Sequence, residues 1–439
     1  VFNIVFFKVK FHINNVGNML KKITSILLFF GVLASLNANA GGLILYEIGT
    51  SDLGLASAGW AARADDAGTA FTNPAGMTRL KKAQFLFGAQ PIYLHIKFDP
   101  NSKTNVSGSN GNSSTWFPAG GSYLVVPVND CLSLGAAATG YFGAALNYGH
   151  HWVGRYYLVR SLCQGYSFVP GAAYKLTDSL SIGISANIMY SVFRSHEQVN
   201  NVLDKSSDGR LRLTGDNWAV GAIVGVLYEF DKCTRFGVQY VSEVKQKFNM
   251  KPTFLNIGPG LNEILKATGI LNSRVKILCN IPNWIMTSWY RKLNPSLALM
   301  GNVGWQQWSK FARAEVSLNN ANSRTLSTSP KYEDTWHIAI GLEYLLNECS
   351  KWTVGMAYDS SMVSNKNRTV SLPVGKQCRF GTGYQLAYTE NVNIGISYEL
   401  MWSGDLKLFQ SRGPLAGTVA GHYSDICNNF LNLNIAYNF

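Results

Sequence analysis

The chain has 439 residues and a formal net charge of +13, with 47% hydrophobic, 13% aromatic and only 14% charged residues. Soluble domains carry about 25% charged residues, and no run of about 18 apolar residues offers a helix able to span a bilayer. Lys and Arg are scattered rather than gathered into a run, which sets aside nucleic acid and suits contact with anionic lipid.

Residues 1–18 precede a good start at Met19 and read as an upstream extension. Residues 19–40 read as a signal peptide: Lys21-Lys22, the apolar run Ile23–Ala34, and the A-x-A site Ala38-Asn39-Ala40. The first forty residues hold Lys8, Lys10, Lys21 and Lys22 and no acid, so the chain from Gly41 carries 13 − 4 = +9. Residues 41–81 are too rich in Gly and Ala to bury a core alone and too apolar to stand in water.

From residue 82 to 439, segments of about ten residues alternate apolar and polar, the period-two signature of strands. The last one shows it best: Leu431, Leu433, Ile435, Tyr437 and Phe439 face one way, and Asn432, Asn434, Ala436 and Asn438 the other. The expected spans are 82–98, 117–128, 131–147, 165–176, 180–198, 209–230, 234–250, 275–293, 297–318, 332–346, 352–363, 370–386, 391–404 and 426–439. Short links such as Val128-Asn129-Asp130 and Asp231-Lys232 alternate with long ones at 99–116, 148–164, 252–274, 319–331 and 405–425. That is the pattern of an outer-membrane barrel, with long loops outside the cell. The fold class is all-β: a transmembrane antiparallel β-barrel of about fourteen strands, its apolar rows facing lipid. Trp116, Trp284, Trp289, Trp305, Trp308, Trp336 and Trp402 fall near strand ends, where indole favours the membrane boundary.

Several residues invite a chemical reading. In loop 252–274, Leu261, Ile264 and Leu265 lie at helical spacing and would form an external apolar groove. The small-residue run Gly135–Leu146, with Gly140 and Gly143, would admit a bulge in the wall. Alternation puts Asp359 and Arg379 on the lumenal face of neighbouring strands, where opposite charges pair. An enzyme would need a nucleophile beside His337, and no GxSxG motif surrounds it. The seven cysteines show no metal-ligand spacing, and their odd number leaves one thiol unpaired. Cys131, Cys233 and Cys349 each sit beside a tight turn, where a disulfide is possible. No cofactor and no metal is expected.

The set Asp65-Asp66-Ala67-Gly68, Asn73-Pro74-Ala75, Pro127–Asp130, Ile281–Trp284, Asp334–Gly341, Ala357–Ser360 and Arg379-Phe380, closed by a terminal Phe, resembles the FadL/TodX family of outer-membrane importers. The resemblance implies that 41–81 is a hatch plugging a barrel formed by 82–439, with Asp65, Asp66, Gly68, Asn73, Pro74 and Ala75 as the hatch motif. It implies that the tail Leu43, Ile44 and Leu45 enters a lumenal pocket, and that Gly140 and Gly143 mark a lateral opening. It implies transport roles for Asp359 and Arg379, although pairing that only stiffens the barrel is equally open. Leu43 stands where an aromatic is found in the best-known members. Arg194, near a head-group residue by sequence, has the parity of the outward face. The expected function is passive uptake of long-chain fatty acids or related hydrophobic molecules through the bacterial outer membrane, with lateral exit. The expected partners are that ligand and membrane lipid, with no nucleic acid, and the barrel acts as a monomer. Uptake of aromatic hydrocarbons, or a surface adhesin without transport, are the alternatives.

Overall fold

The computed structural model describes residues 41–204, 206–317, 325–328 and 331–439; the upstream extension and the signal segment lie outside them. The strands are β1 (Gly41–Ile44), β2 (Gln84–Pro100), β3 (Gly111–Asn112), β4 (Thr115–Pro127), β5 (Leu132–Asn147), β6 (Arg160–Lys175) and β7 (Leu180–Val199). They continue with β8 (Gly209–Glu229), β9 (Thr234–Val241), β10 (Val244–Met250), β11 (Thr253–Leu255), β12 (Arg274–Ile281), β13 (Trp284–Asn294) and β14 (Leu297–Gln306). The last are β15 (Ala312–Ser317), β16 (Thr325–Thr328), β17 (Thr335–Leu345), β18 (Ser350–Asp359), β19 (Gln377–Ala387), β20 (Val392–Ser411) and β21 (Thr418–Asn438).

Among the described residues these form a closed antiparallel barrel of fourteen wall strands, some in two pieces. Closure comes from β2, which pairs with both β4 and β21. No strand edge is left for another chain to extend along the β2–β21 seam. On β21, Leu433, Ile435 and Tyr437 are exposed while Asn432 is fully buried. Apolar rows therefore face out and amides face in, the inverse of a soluble sandwich.

Six short turns share one device. A side-chain oxygen accepts from the backbone N–H two or three residues on: Asn129 from Cys131 and Leu132, Thr177 from Ser179 and Leu180, Asp231 from Cys233 and Thr234. Asn294 accepts from Ser296 and Leu297, Asn347 from Cys349, and Thr389 from Asn391 and Val392. Local side-chain capping of this kind gives the chain a turn without help from the fold. The two backbone donors also hold the Asp231 carboxyl below its ordinary range.

The segment before β2 lies inside the wall, in the half nearer these turns. It carries 3₁₀ turns at Ser51–Leu55 and Pro74–Arg79 and one helical turn at Thr69–Thr72. Its contact with the wall is made through glycines. A Cβ on Gly88 would stand 1.9 Å from the Gly49 carbonyl oxygen, on Gly237 1.9 Å from that of Ala61, and on Gly355 1.9 Å from that of Leu55. On Gly183 it would meet the Ala75 nitrogen at 2.4 Å, and on Gly381 the Leu53 oxygen at 2.3 Å. These wall glycines are there because the inner backbone comes too close for any side chain.

Several expected boundaries are corrected. Spans 234–250, 275–293 and 297–318 are not continuous strands: they break at Ser242-Glu243, Pro282-Asn283 and 307–311. Proline at 282 has no N–H to give the ladder. The outer pieces β10, β12, β15 and β16 form a separate four-stranded sheet. Inward parity flips across the breaks, from Gln239 and Val241 to Val244 and Gln246, and from Cys279 and Ile281 to Trp284 and Met286. Trp284 is consequently buried, as is Trp308 beyond the third break, so neither can meet the membrane boundary; Trp116, Trp289, Trp336 and Trp402 are exposed. The expected strand 370–386 begins only at Gln377. The expected loop 405–425 shrinks to residues 412–417, because β20 and β21 run on and pair up to Ser411 and Thr418.

Candidate functional site

Two polar clusters tie the inner segment to the wall. The one nearer the short turns is built on the Asp65-Asp66 pair. Asp66 Oδ1 accepts from the Gly68 N–H at 2.9 Å, while Oδ2 takes Ser51 at 3.1 Å and Arg63 at 3.3 Å. Asp65 faces Arg235 at 3.4 Å and Lys351 at 3.8 Å. Arg63, on the same inner segment, also pairs with buried Asp52 at 2.8 Å. Asn73 is fully buried: its amide donates to the carbonyls of Ala61 at 2.6 Å and Val226 at 3.0 Å, and its oxygen accepts from Ala75 N at 3.1 Å. One Asn thus joins two parts of the inner segment to β8. Pro74 then opens the 3₁₀ turn where a missing N–H costs nothing.

The second cluster lies deeper, on the inward face of four adjacent strands. Arg379 Nε donates to Asp359 Oδ2 at 2.7 Å, and the same guanidinium faces Glu47 at 3.3 Å and Glu399 at 3.5 Å. Three carboxylates therefore share one guanidinium. The other Asp359 oxygen meets His337 Nδ1 at 2.8 Å, and His337 Nε2 meets Ser57 Oγ at 3.0 Å. Tyr46 packs on the His337 ring at 4.6 Å and under Arg379 at 5.2 Å. Ser57, His337 and Asp359 have the connectivity of a hydrolase triad. Ser57 is fully buried, so its hydroxyl offers no face to a substrate; it holds the inner segment to β17. Glu47 and Ser57 were not legible as partners, because they come from a distant part of the chain with no motif around them, and Glu399, though on the strand next to that of Arg379, was not singled out.

Above this cluster the tail enters a cavity. Leu43, Ile44 and Tyr46 line it together with Trp308, Met362, Met401, Asp359 and Arg379. The free space left is about 50 Å³, far below the roughly 300 Å³ or more of an ordinary small-molecule pocket. Leu43, Ile44 and Leu45 are all buried. β1 pairs with β5, Gly41 opposite Ala144 and Ile44 opposite Phe142, and Leu45 N donates to Tyr141 O at 2.8 Å.

That pairing is possible because β5 has left the wall. Its ladder with β4 ends at Gly121–Thr139, and its pairing with β6 shifts between Thr139 and Phe142. Up to Thr139 burial alternates; from Tyr141 to Gly143 every residue is buried, as on a strand covered from both sides. The seam with β4's side of the wall is rejoined at Asn147 N, which donates to Ser113 Oγ at 2.7 Å. Gly140 and Gly143 lie inside this interval. A Cβ on Gly140 would find its nearest neighbour at 3.6 Å, and one on Gly143 at 3.3 Å.

The remaining sites are not drawn together. Helix Pro259–Ala267 forms in the loop, with Leu261 buried, Leu265 half-buried and Ile264 exposed. Arg194 points outward. All seven cysteines are free thiols. A second cavity, of about 200 Å³, opens near the short turns and is lined by Ser51, Asp65, Asp66, Gln84, Lys351 and Asn434 among others.

A sequence profile described as outer membrane protein transport protein (OMPP1/FadL/TodX) matches residues 31–439. The chain belongs to that family. A family relative, the long-chain fatty acid transport protein of Escherichia coli O6:H1, is 26% identical over 416 residues, covering 88% of this chain and 92% of that one. Outer membrane protein P1 of Haemophilus influenzae is 24% identical over 458 residues, covering 93% and 97%. Within the family's solved structures, a Pseudomonas aeruginosa FadL homologue superposes with TM-score 0.79 at 19% identity, covering 91% of this chain and all of that one. The P. putida toluene transporter TodX gives 0.66 at 12% identity, covering 92% and 99%. Family membership places this barrel in the bacterial outer membrane.

Proposed function

We propose that this barrel carries long-chain fatty acids or related hydrophobic molecules passively across the outer membrane, and that its own tail is the gate. The observation that carries the reading is the tail filling a cavity of mixed lining, apolar at Trp308, Met362 and Met401 and polar at Gln306, Asp359 and Arg379, with only about 50 Å³ left free. An acyl chain entering that cavity takes the place of Leu43 and Ile44. Its carboxylate competes with Glu47 for Arg379, the group on which Glu47 rests at 3.3 Å, and Arg offers the paired donors that suit a carboxylate. Binding at one end of the tail thereby loosens the other, a shift of population between two seats.

Release goes sideways, through the interval where β5 stands off from β4. The charges Asp65, Asp66 and Lys351 in the cavity near the short turns are poor surfaces for an acyl chain, which favours this route. The carboxylate partner favours fatty acids over aromatic hydrocarbons, which have no charge to offer Arg379. The helix Pro259–Ala267 gives the ligand its first apolar footing outside, through Ile264.

The deciding experiment is growth on a long-chain fatty acid as sole carbon source, in a host lacking its own importer, with and without this gene. Growth restored only with the gene supports the reading. Uptake of toluene but not of fatty acid overturns the carboxylate assignment.

A further inference from the structure

The outward face of β6, β7 and β8 changes character along its length. Near the short turns it is apolar. Further out comes a row of rings opposite one another across the three strands, Tyr166, Tyr190 and Trp218, with Tyr190 and Trp218 in contact at 5.0 Å. Such rows mark the membrane–water boundary. Four residues beyond Tyr190, about 14 Å along the strand, the face becomes cationic. Arg160, His196 and Arg212 stand directly opposite one another on the three strands, with Arg194 and Arg210 on the adjacent outward positions.

Like charges placed directly opposite across a sheet are destabilising. Among the described residues no carboxylate pairs with any of the four arginines. The single acid on this face, Asp216, lies opposite Val192 on the ring side of the group. The acids around it look elsewhere: Asp208 is held by Arg155 at 2.9 Å, and Glu197 turns inward beside Arg412 at 3.9 Å. On the far edge of β8, β11 sets only Thr253 and Leu255 against Arg212 and Arg210. Partial burial, and after it the charges of Arg212, Arg160, His150 and Arg194, hold the His196 pKa below its ordinary value.

We infer that this patch is a binding site for a phosphorylated, multi-acyl glycolipid of the outer leaflet. Guanidinium is the side chain suited to phosphate, and arginine stems reach back toward the bilayer while keeping their heads at its surface. The acyl chains of the same lipid have a place to lie, on Ile184, Val220 and Val224 below the rings, all exposed. A free phosphate would use the cations and leave that surface bare, so the lipid accounts for both halves of the face. The site is independent of the transport route, which runs inside the wall.

The test is native mass spectrometry of the full barrel released from detergent with bisphosphorylated lipid A, its dephosphorylated form, or inorganic phosphate. The site predicts retention of the phosphorylated lipid over the dephosphorylated one. It also predicts loss of about thirty-fold in retention for Arg194→Gln/Arg212→Gln, two cations at the usual worth of one beside an anionic head group. The pair Lys81→Gln/Lys82→Gln, exposed just before β2 at the short-turn end of the barrel, should retain the lipid as the parent does. Equal retention of both lipids, or displacement by millimolar inorganic phosphate, would overturn the assignment. Because the comparison of lipids needs no variant, a misfolded mutant does not spare it.

Discussion

At the scale of residues, the chain is organised by a few buried charges that serve several partners at once. Arg379 is the clearest, because Asp359, Glu47 and Glu399 all depend on it. Removing one member of a buried ion cluster leaves uncompensated charge, and costs about 3–5 kcal/mol. Arg379→Ala should therefore lower the temperature at which the barrel changes its mobility on unheated gels; an unchanged transition would show the cluster to be idle. Asp359→Ala should lose less stability, because Arg379 keeps Glu47 and Glu399, whereas Glu47→Gln should free the tail, read as faster protease cutting near Gly41. Alternation made Asp359 and Arg379 legible as inward neighbours, since period two is a strictly local property. Glu47 and Ser57 were invisible to it, because the inner segment has no period, and which wall residues it meets is decided only by the closed fold.

At the scale of elements, β5 and the glycine collar matter most. Small residues in β5 signalled a weak place in the wall, but not that the tail would pair with the strand there. Gly143→Leu should press a side chain against Cys163 and Gln164 of β6 and disturb the course of β5 beside the interval, so that hydrophobic uptake falls steeply while ligand still binds from outside. Undiminished uptake of a labelled fatty acid would rule out sideways release. Gly355→Ala tests the collar: its Cβ would sit 1.9 Å from Leu55 O, and overpacking of this kind costs about 1–3 kcal/mol. The expected result is a loosened inner segment and greater entry of a bulky hydrophilic antibiotic, measured as a lower inhibitory concentration. The turns were readable for the opposite reason, since their capping side chains act within four residues.

At the scale of the whole molecule, charge poverty, rings and alternation left a barrel in lipid and a soluble sandwich both open, and the alternation of short and long links together with the family resemblance pointed to the barrel. The period-two reading failed above the breaks at Ser242-Glu243 and Pro282-Asn283, where parity reverses and a second sheet separates. A proline marks one of those breaks in the sequence, but nothing local marks the other. The wall is thus regular in the half nearer the short turns and irregular beyond the breaks.

The glycine collar has a mechanical meaning. Where two surfaces of peptide groups part, water takes up the exposed N–H and C=O groups readily, whereas parted greasy surfaces would cling to whatever lay near. An inner segment seated on bare backbone can give slightly and settle back without leaving a sticky scar on either piece, so that motion proposed for its tail need not unseat the rest.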